Sequence, residues 1–508
     1  MKKLIFCMIL LCLSLTACGR KDTLIYGSED YARINPAMDA RREIDLLLFD
    51  GLTDHDSDNQ IIPRLAQRWD YDPHTLTYTF YLAEQVEWHD GKPFTAEDVK
   101  FTFDAIMDED NPSVNACDYT DVAEITVVDA YTVSFRLTAE NAAFLDYMTM
   151  PILPKHCLQG EDWQTSDFFW EPVGTGPYRL TDWERGESIT LKRNKQYFAG
   201  PASIRKIVFQ ILPDIGERYE LLLQGELDLA QISYEDAQSA EGGALTLYPM
   251  ATADYRGILY NFRNPYWRYN ADLIPALCYG VDRQAIVDAV LLGMGEVAYS
   301  PLQRNIYGSS AMEQYTYDPD KAQSLLGELG CELDGQGYWN RNGHRISFVI
   351  NVDASDAVQM EMAQAVAQQL RDIGLDVRAE APAEGIDWVG QQCCIIECGS
   401  PFDADDHTYK VFGTGQGANR SGYSNEKVDA LLTQARQTDD PAQRKAAYAA
   451  FQSALAEAPA FTFLCYVDVI YAASPDLAGI PTDTLLGHDG LGVFRTVCQW
   501  TKGQEMTE

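Results

Sequence analysis

The segment CCIIECGSPFDADDHTYKVF, Cys393 to Phe412, holds the densest group of side chains that could bind a metal or react. Thiols, carboxylates and an imidazole are the donor types that bind transition metals. A metal site needs three or four such ligands to converge, yet alternate residues of a strand face opposite ways. The cysteines of this segment, Cys393, Cys394 and Cys398, are not joined by a second cysteine pair of the CxxC type that zinc sites use. The other histidines are scattered through the chain: His55, His74, His89, His156, His344 and His488. We therefore predict no cofactor and no metal held by protein ligands alone.

Motifs of the common enzyme classes are absent from the sequence. It contains no HExxH, no GxSxG and no P-loop. The string GTGQGA at 413–418 fits a loose nucleotide-binding pattern, but it lacks the strand–turn–helix context and indicates a loop before Arg420. The sequence thus predicts a protein that is not an enzyme. An exported hydrolase with a carboxylate pair is the alternative from a different functional class.

The side chains of segment 393–412 must be positioned by the secondary structure of the chain, in which strands and helices alternate. TLIYGS predicts a strand, and FTAEDVKFTFDAIMD predicts a helix with Thr95 as its N-cap. IRKIVFQILPD predicts a strand, followed by a helix that ends at Gly225. VQMEMAQAVAQQLRDIGLDVRAE predicts a helix, a stop at Gly374 and a strand, and two later helices break near Asp440 and Pro441. This order is typical of α/β lobes.

The N-terminus has the pattern of an export signal. Lys2 and Lys3 precede an apolar run, Leu4 to Leu15, that is shorter than the roughly 20 residues needed to span a bilayer. The run ends in LTAC, which resembles the bacterial lipobox, so Cys18 is the predicted site of lipid attachment and residues 1–17 the predicted signal peptide. We expect a protein outside the cytoplasmic membrane, held by more than one acyl chain. It would lie in a periplasm or on a cell surface.

The charge of the chain limits its partners. The formal net charge is −37, and loss of Lys2 and Lys3 with the signal gives −37 − 2 = −39. The mature chain would have 508 − 17 = 491 residues, enough for two or three domains. Nucleic acids and anionic lipid surfaces would repel such a chain, so we expect no nucleic-acid partner and no charge-driven membrane binding.

Nine cysteines remain once Cys7, Cys12 and Cys18 are assigned to the signal and the lipid. An odd number cannot all form disulfides. Many lie in apolar stretches, where a free thiol acts as a small hydrophobic group. We predict that most are core residues, in a source that lives with little oxygen. The nine are Cys117, Cys157, Cys278, Cys331, Cys393, Cys394, Cys398, Cys465 and Cys498.

Seven segments resemble, in order, those of one known protein family. They include INPAMDARREIDLLLFDGLTDHDSDNQIIPRLAQRWDYDPHTLTYTFYLAEQVEWHDGKPFTAEDVKFTF, then PVGTGPYRLTDWERGESITLKRNKQYF, and later LLLQGELDLA, YNFRNP and GYSNEKVDALLTQAR. The chain resembles the family 5 extracellular solute-binding proteins of dipeptide, oligopeptide and nickel ABC transporters. The resemblance runs from about residue 23 to about residue 480.

This resemblance implies a type II periplasmic-binding-protein fold of cluster C. That fold is α/β, with two lobes that close on ligand and an extra N-terminal subdomain. The implied boundaries are 18–50, 173–255 and 473–508 for lobe I, 51–172 for the extra subdomain, and 256–472 for lobe II. Ligand would bind between the lobes and favour the closed state.

The loop after the strand that begins at Cys393 is the implied ligand contact. In peptide-binding relatives this loop pairs with the peptide backbone, and an aspartate matching Asp403 holds the α-ammonium. The competing role for Asp403 is to cap a helix that starts near Ala404. Cys398 or Ser400 replaces the relatives' tryptophan. GSPFD resembles the GAPYD of nickel-binding relatives, with Phe402 in place of tyrosine.

Three further residues are implied to line the cleft. Tyr31 follows the first strand, and Tyr255 and Arg256 begin the second lobe. Aromatic rings can form walls for an extended solute, and an arginine can hold a carboxylate in a bidentate fork, although a surface role for Arg256 is as consistent with the sequence. The predicted ligand-binding residues are Tyr31, Tyr255, Arg256, Ser400, Phe402 and Asp403.

The resemblance therefore predicts a monomeric lipoprotein that captures peptides and delivers them to an ABC permease. Its ATPase would be a separate protein, since this chain has no P-loop. Two alternatives remain within the family, a receptor for a nickel chelate or metallophore and a receptor for an oligosaccharide. GSPFD and His407 favour the first of these, and the missing tryptophan and tyrosine oppose it.

Overall fold

The computed structural model describes residues 22–503. The predicted signal peptide and Cys18 lie outside this range, so both stay predictions. Among the described residues, no helix has the length and apolarity that crossing a bilayer requires.

Strands dominate the framework. Their bounds are β1 Thr23–Ser28, β2 Thr53–His55, β3 Ile61–Pro63, β4 Ala66–Asp72, β5 Thr77–Leu82, β6 Val122–Asp129, β7 Thr132–Leu137, β8 Tyr178–Glu184, β9 Ser188–Arg193, β10 Lys206–Ile211, β11 Leu229–Ile232, β12 Thr246–Tyr260, β13 Gly295–Val297, β14 Glu332–Leu333, β15 Trp339–Arg341, β16 His344–Arg345, β17 Ser347–Asn351, β18 Asp376–Glu380, β19 Cys393–Cys398, β20 Phe461–Ala473, β21 Leu477–Ala478 and β22 Thr501–Lys502.

The α-helices pack on these strands. They are α1 Asp45–Leu48, α2 Ala96–Met107, α3 Phe144–Tyr147, α4 Lys155–Leu158, α5 Ile215–Leu223, α6 Tyr234–Ala240, α7 Pro265–Asn270, α8 Ile274–Tyr279, α9 Arg283–Val290, α10 Pro319–Glu328, α11 Ala357–Asp372, α12 Asp405–Phe412, α13 Glu426–Arg436 and α14 Pro441–Glu457. The break predicted near Asp440 and Pro441 is confirmed, because Asp440 caps α14.

One sheet of eleven strands joins the two halves of the molecule. Its order is β18-β17-β19-β12-β20-β11-β1-β10-β9-β8, with β13 on β20. The long strands β12 and β20 pair with each other in the middle. The strands on one side of them come from 347–398, and those on the other side come from both the N-terminal part and 178–232. The predicted boundary at 255/256 falls inside β12, and the one at 472/473 falls inside β20. The remaining boundaries stay predictions.

A second antiparallel sheet, in the order β4-β5-β7-β6, lies in the predicted extra subdomain and packs against α2. Helix α2 begins with a capping box, as its sequence predicted. The Thr95 side chain accepts from the N3 backbone, and Asp98 Oδ2 accepts the Thr95 N–H at 2.9 Å. Val99, Phe103 and Ile106 bury the apolar face of the helix.

The predicted extra subdomain is in direct contact with the predicted lobe II. Tyr147 Oη donates to Asp405 Oδ2 at 2.8 Å. Arg436 pairs with Asp121 at 2.7 Å, and the Phe402 ring stacks on His55 with centroids 3.9 Å apart. Buried charge pairs are strongly directional, so this contact favours one relative position of the two parts.

Five of the nine described cysteines are buried: Cys278, Cys331, Cys393, Cys394 and Cys465. The other four are partly exposed. The prediction that most of the cysteines are core residues is therefore confirmed for five of them.

Candidate functional site

A β-bulge marks the point where the chain passes from one half of the molecule to the other. The register of β12 against β20 shifts between Ala251 and Tyr255, so residues 252–254 leave the ladder. A bulge bends a strand and redirects its side chains. Segment 484–491 is fastened onto this bulge, because Ala253 N–H donates to Leu486 O at 2.8 Å and Leu486 N–H donates to Ala251 O at 2.9 Å.

Gly399 lets the end of β19 approach the same bulge. A Cβ on this residue would lie 1.9 Å from Ala253 O, and its φ is +155°. Any larger residue would therefore force the backbones apart. The glycine of the sequence CGSPFD is required by this contact between backbones.

The bulge and the two segments beside it gather a group of ionisable side chains, the Asp254 cluster: Asp254, Arg256, Glu397, His488 and Asp489. Asp254 is fully buried, and neither carboxylate oxygen has a hydrogen-bond partner of good geometry. His488 Nδ1 lies 3.2 Å from Asp254 Oδ2, and His488 Nε2 lies 3.4 Å from Asp489 Oδ2. Arg256 Nη1 lies 2.5 Å from Glu397 Oε2 and 2.7 Å from Asp356.

The acidic groups of this cluster outnumber its basic groups. Burial opposes protonation of His488, but Asp254, Asp489 and Glu397 outweigh it and raise the pKa of His488 to about 9. Burial also raises the pKa of Glu397, whereas the Asp489 side chain is 70% exposed. A buried carboxylate without a hydrogen bond costs free energy. The cluster is therefore suited to receive a cationic group.

Arg256 is the one predicted ligand residue that lies in the Asp254 cluster. Its guanidinium is occupied by Asp356 and Glu397, while its Nε has no hydrogen-bond partner. The predicted fork to a ligand carboxylate would have to form beside these existing pairs, and it stays a prediction.

Ser400, Phe402 and Asp403 lie at the contact with the extra subdomain. Arg444 Nη2 donates to Asp403 Oδ1 at 2.6 Å, and Asp405 N–H donates to the same carboxylate oxygen at 2.9 Å. The carboxylate therefore accepts the first backbone N–H of α12, but the N-cap residue of this helix is Ala404 and not Asp403. Ser400 is 6% exposed, and the Phe402 ring is covered on one face by His55. The ligand roles of all three stay predictions.

Tyr31 and Tyr255 lie in hydrophobic cores. Tyr31 is 5% exposed, with the Arg42 guanidinium 4.1 Å above its ring. Tyr255 is completely buried and packs edge-on against Phe463 at 5.2 Å. Their predicted role as walls of the cleft is untested by this packing.

Sequence reasoning missed Asp254, Glu397, His488 and Asp489. These residues come from three segments that are far apart in the chain, so no pattern in the local sequence predicts that they lie together. The available signals were the polar pair His488–Asp489 between glycines in GHDG, and the aspartate before Tyr255.

Two groups within residues 22–503 bring three metal-ligating side chains within 4.8 Å of one another. One is Asp254, His488 and Asp489, and the other is Asp90, His156 and Cys157. His407, considered from the sequence, is in neither group; it is buried, and burial lowers its pKa.

The chain is similar to proteins that bind solutes outside the cytoplasm. Residues 60–439 match the family model for bacterial extracellular solute-binding proteins, family 5. Protein XP55 of Streptomyces lividans is 30% identical over 464 residues, which cover 88% of this chain and 84% of that protein. The dipeptide-binding protein of Escherichia coli is 26% identical, over 84% of this chain and 85% of that protein.

Solved structures agree in fold. NikZ from Campylobacter jejuni, in complex with Ni(L-His), has a TM-score of 0.87 and 33% identity, over 95% of this chain and all of that one (100%). AppA from Bacillus subtilis, in complex with a nonapeptide, has a TM-score of 0.83 and 24% identity, over 95% of this chain and 99% of that one. The predicted two-lobed α/β fold is thereby confirmed. The chain belongs to family 5 of the bacterial extracellular solute-binding proteins.

Proposed function

We propose that this protein is the substrate-binding component of an ABC importer and captures a peptide, with the peptide's α-ammonium at the Asp254 cluster. The observation that carries the proposal is the Asp254 carboxylate, fully buried and without a hydrogen bond of good geometry. An ammonium supplies three donors and a positive charge, which would satisfy both oxygens. The peptide-binding names of the relatives from E. coli and B. subtilis support the same class of cargo.

Closure would couple this binding to delivery. Asp254 is shielded from water, which would strengthen an ionic contact to its carboxylate, while the His488 side chain is 44% exposed. Ligand shifts the protein toward the closed state only by its difference in affinity for the two states. A permease that recognises the closed form would then receive loaded protein.

The site of action is proposed to be the outer face of the cytoplasmic membrane. The lipobox at Cys18 and the signal peptide at 1–17 support a lipid anchor. The protein would act as a monomer, and its permease and ATPase would be separate chains.

A second candidate cargo is a divalent metal carried by an amino acid. The specific observation is that His488, Asp254 and Asp489 offer an imidazole nitrogen and two carboxylates within 4.8 Å. The similarity to NikZ from C. jejuni, solved with Ni(L-His), supports this candidate. An imidazole must be neutral to bind a metal, so this cargo would bind more tightly as the pH rises toward 9, the pKa of His488.

A thermal-shift and calorimetry panel separates the two cargoes. Residues 19–508 are tested with di- to pentapeptides, with nickel plus histidine and with cello-oligosaccharides. A ligand at 100 times its Kd adds about 2.7 kcal/mol to the native state. Peptide capture predicts a shift that Asp254→Asn abolishes and His488→Gln leaves in place. Metal capture predicts a shift with nickel plus histidine that His488→Gln abolishes.

Two exposed residues provide matched controls. Asp483→Asn removes a carboxylate from the same C-terminal segment, and His344→Gln removes an exposed imidazole. Neither should alter binding of either ligand. A peptide shift that survives Asp254→Asn would exclude the assigned ammonium site, and a shift with oligosaccharides alone would exclude both cargoes.

A further inference from the structure

A row of basic side chains crosses the outer face of the first lobe. Arg179 on β8 lies opposite Lys192 on β9, and Lys192 lies opposite Lys206 on β10. The row ends at Thr23 on β1, which pairs with Lys206. Like charges directly opposite each other destabilise a sheet, so three in succession need a reason.

These side chains point away from the core. Leu191, Ile207 and Leu24, the next residues in the same register, are all 0% exposed. Because neighbouring residues of a strand face opposite sides, the basic row faces solvent. Asp182, the nearest acid on β8 beyond Arg179, lies further along, opposite Thr190.

A shallow depression of about 690 Å³ lies over the row. It contains no acidic residue in its lining, which is Arg179, Thr181, Lys192, Arg193, Lys195 and Arg205. Arg205 Nη1 lies 3.2 Å from Asp22 Oδ2, but within residues 22–503 none of the ion pairs involves Arg179, Lys192, Lys195 or Lys206, although the chain has 76 acidic and 39 basic residues. We call Arg179, Lys192, Lys195, Arg205 and Lys206 the basic patch.

The described chain begins at the edge of this patch. Arg205 and Lys206 each donate a backbone N–H to Asp22 O, at 3.0 and 3.1 Å. Only residues 19–21 separate Asp22 from Cys18, and two of them are Arg20 and Lys21. Four residue steps span at most about 14 Å, so a lipid on Cys18 would keep the patch close to the bilayer.

We propose that the basic patch binds the anionic phospholipid headgroups of the bilayer to which Cys18 is anchored, and so orients the protein on the membrane. The orientation role rests on the proposed lipid anchor. The overall charge repels an anionic surface, as the sequence indicated, but that repulsion is screened beyond about 10 Å at ordinary salt. A patch held within this distance can therefore attract headgroups while the acidic remainder stays away from them.

Vesicle co-sedimentation of residues 19–508 tests the patch without the lipid. The chain is mixed with vesicles of phosphatidylglycerol and phosphatidylcholine, or of phosphatidylcholine alone, in buffer with about 0.1 M salt, where charges are screened beyond about 10 Å. The patch variant carries Arg179→Gln, Lys192→Gln and Lys206→Gln. The control variant carries Lys92→Gln, Lys427→Gln and Lys445→Gln, three exposed lysines elsewhere, so both variants have the same net charge.

We expect the wild-type chain and the control variant to sediment with the anionic vesicles, and the patch variant to lose roughly 100-fold in partition coefficient. Raising the salt to about 1 M, where the Debye length is about 3 Å, should weaken all binding. The proposal is overturned if the wild-type chain does not bind anionic vesicles, if it binds neutral vesicles equally, or if both variants lose the same amount. The anchor is read separately, from the acyl mass of intact protein taken from membranes. A missing acyl mass would refute the anchor and the orientation role, and it would leave the vesicle result as the test of headgroup binding.

Discussion

Replacing Tyr147 with phenylalanine should weaken closure of the lobes and leave each lobe folded. Tyr147 Oη donates to Asp405 Oδ2 at 2.8 Å, across the contact between the extra subdomain and the far lobe. The change removes one hydroxyl and leaves the ring in place. In an open form both groups would be hydrated, so the lost hydrogen bond counts against the closed form alone.

The magnitude follows from the partners of Asp405. A hydrogen bond to a charged group contributes about 1.5–3 kcal/mol. Arg436 Nη1 remains 2.5 Å from the same carboxylate oxygen, so Asp405 is not left unpaired and the lower figure applies. A loss of about 1.4 kcal/mol is tenfold in an equilibrium constant. We therefore expect Tyr147→Phe to raise the apparent ligand Kd about tenfold.

Titration calorimetry with a ligand identified in the panel measures this change, and Tyr119→Phe is the matched control. Tyr119 Oη donates to Tyr147 O at 2.8 Å, within the extra subdomain. Its loss should lower the free energy of unfolding by about 1 kcal/mol without altering affinity. Unchanged affinity in Tyr147→Phe, or an equal loss of affinity in Tyr119→Phe, would refute the assignment of this hydrogen bond to closure.

Three further predictions concern pH, backbone contact and buried charge. The stability that protonated His488 contributes is fully present below pH 6.5 and is lost as the pH rises through about 9. The thermal midpoint of the wild type should therefore fall across this range more steeply than that of His488→Gln. Parallel curves would contradict the raised pKa. Gly399→Ala should lower the free energy of unfolding by at least about 2 kcal/mol in urea titrations, because the added Cβ would lie 1.9 Å from Ala253 O. The control Gly385→Ala, whose Cβ would meet nothing within 4 Å, should lower it by about 1 kcal/mol. Equal losses in the two variants would refute the close contact. Asp403→Asn should cost about 3–5 kcal/mol in the same titrations, because it leaves the buried Arg444 guanidinium without its carboxylate, and a loss below 1 kcal/mol would count against that pairing.

The sequence predicted the elements well because their signals are local. The capping box at Thr95 and the break at Asp440 and Pro441 each depend on a few adjacent residues. The motif order also predicted the two-lobed fold. The helix caps and breaks depend on residues that are adjacent in the sequence, so they can be predicted without knowing which distant segments come into contact.

The candidate site was predicted less completely because it depends on distant segments. Asp254 owes its position to a bulge that exists only once β12 has paired with β20, and to segment 484–491, which packs on that bulge. The pairing of Asp403 with Arg444 likewise needs α14 to fold against the loop after β19. The resemblance to other proteins identified Asp403 as a candidate ligand contact. It did not predict that Arg444 of this chain pairs with the Asp403 carboxylate.

The fastening of segment 484–491 onto the bulge has a consequence for the order in which the protein becomes active. An exported chain leaves the cell interior from its N-terminus, so Asp254 emerges long before His488 and Asp489. Until the last residues have crossed and packed beside Ala251 and Ala253, the cluster lacks its histidine. The cluster therefore gains its full set of ionisable groups only once residues 484–491 have packed on the bulge.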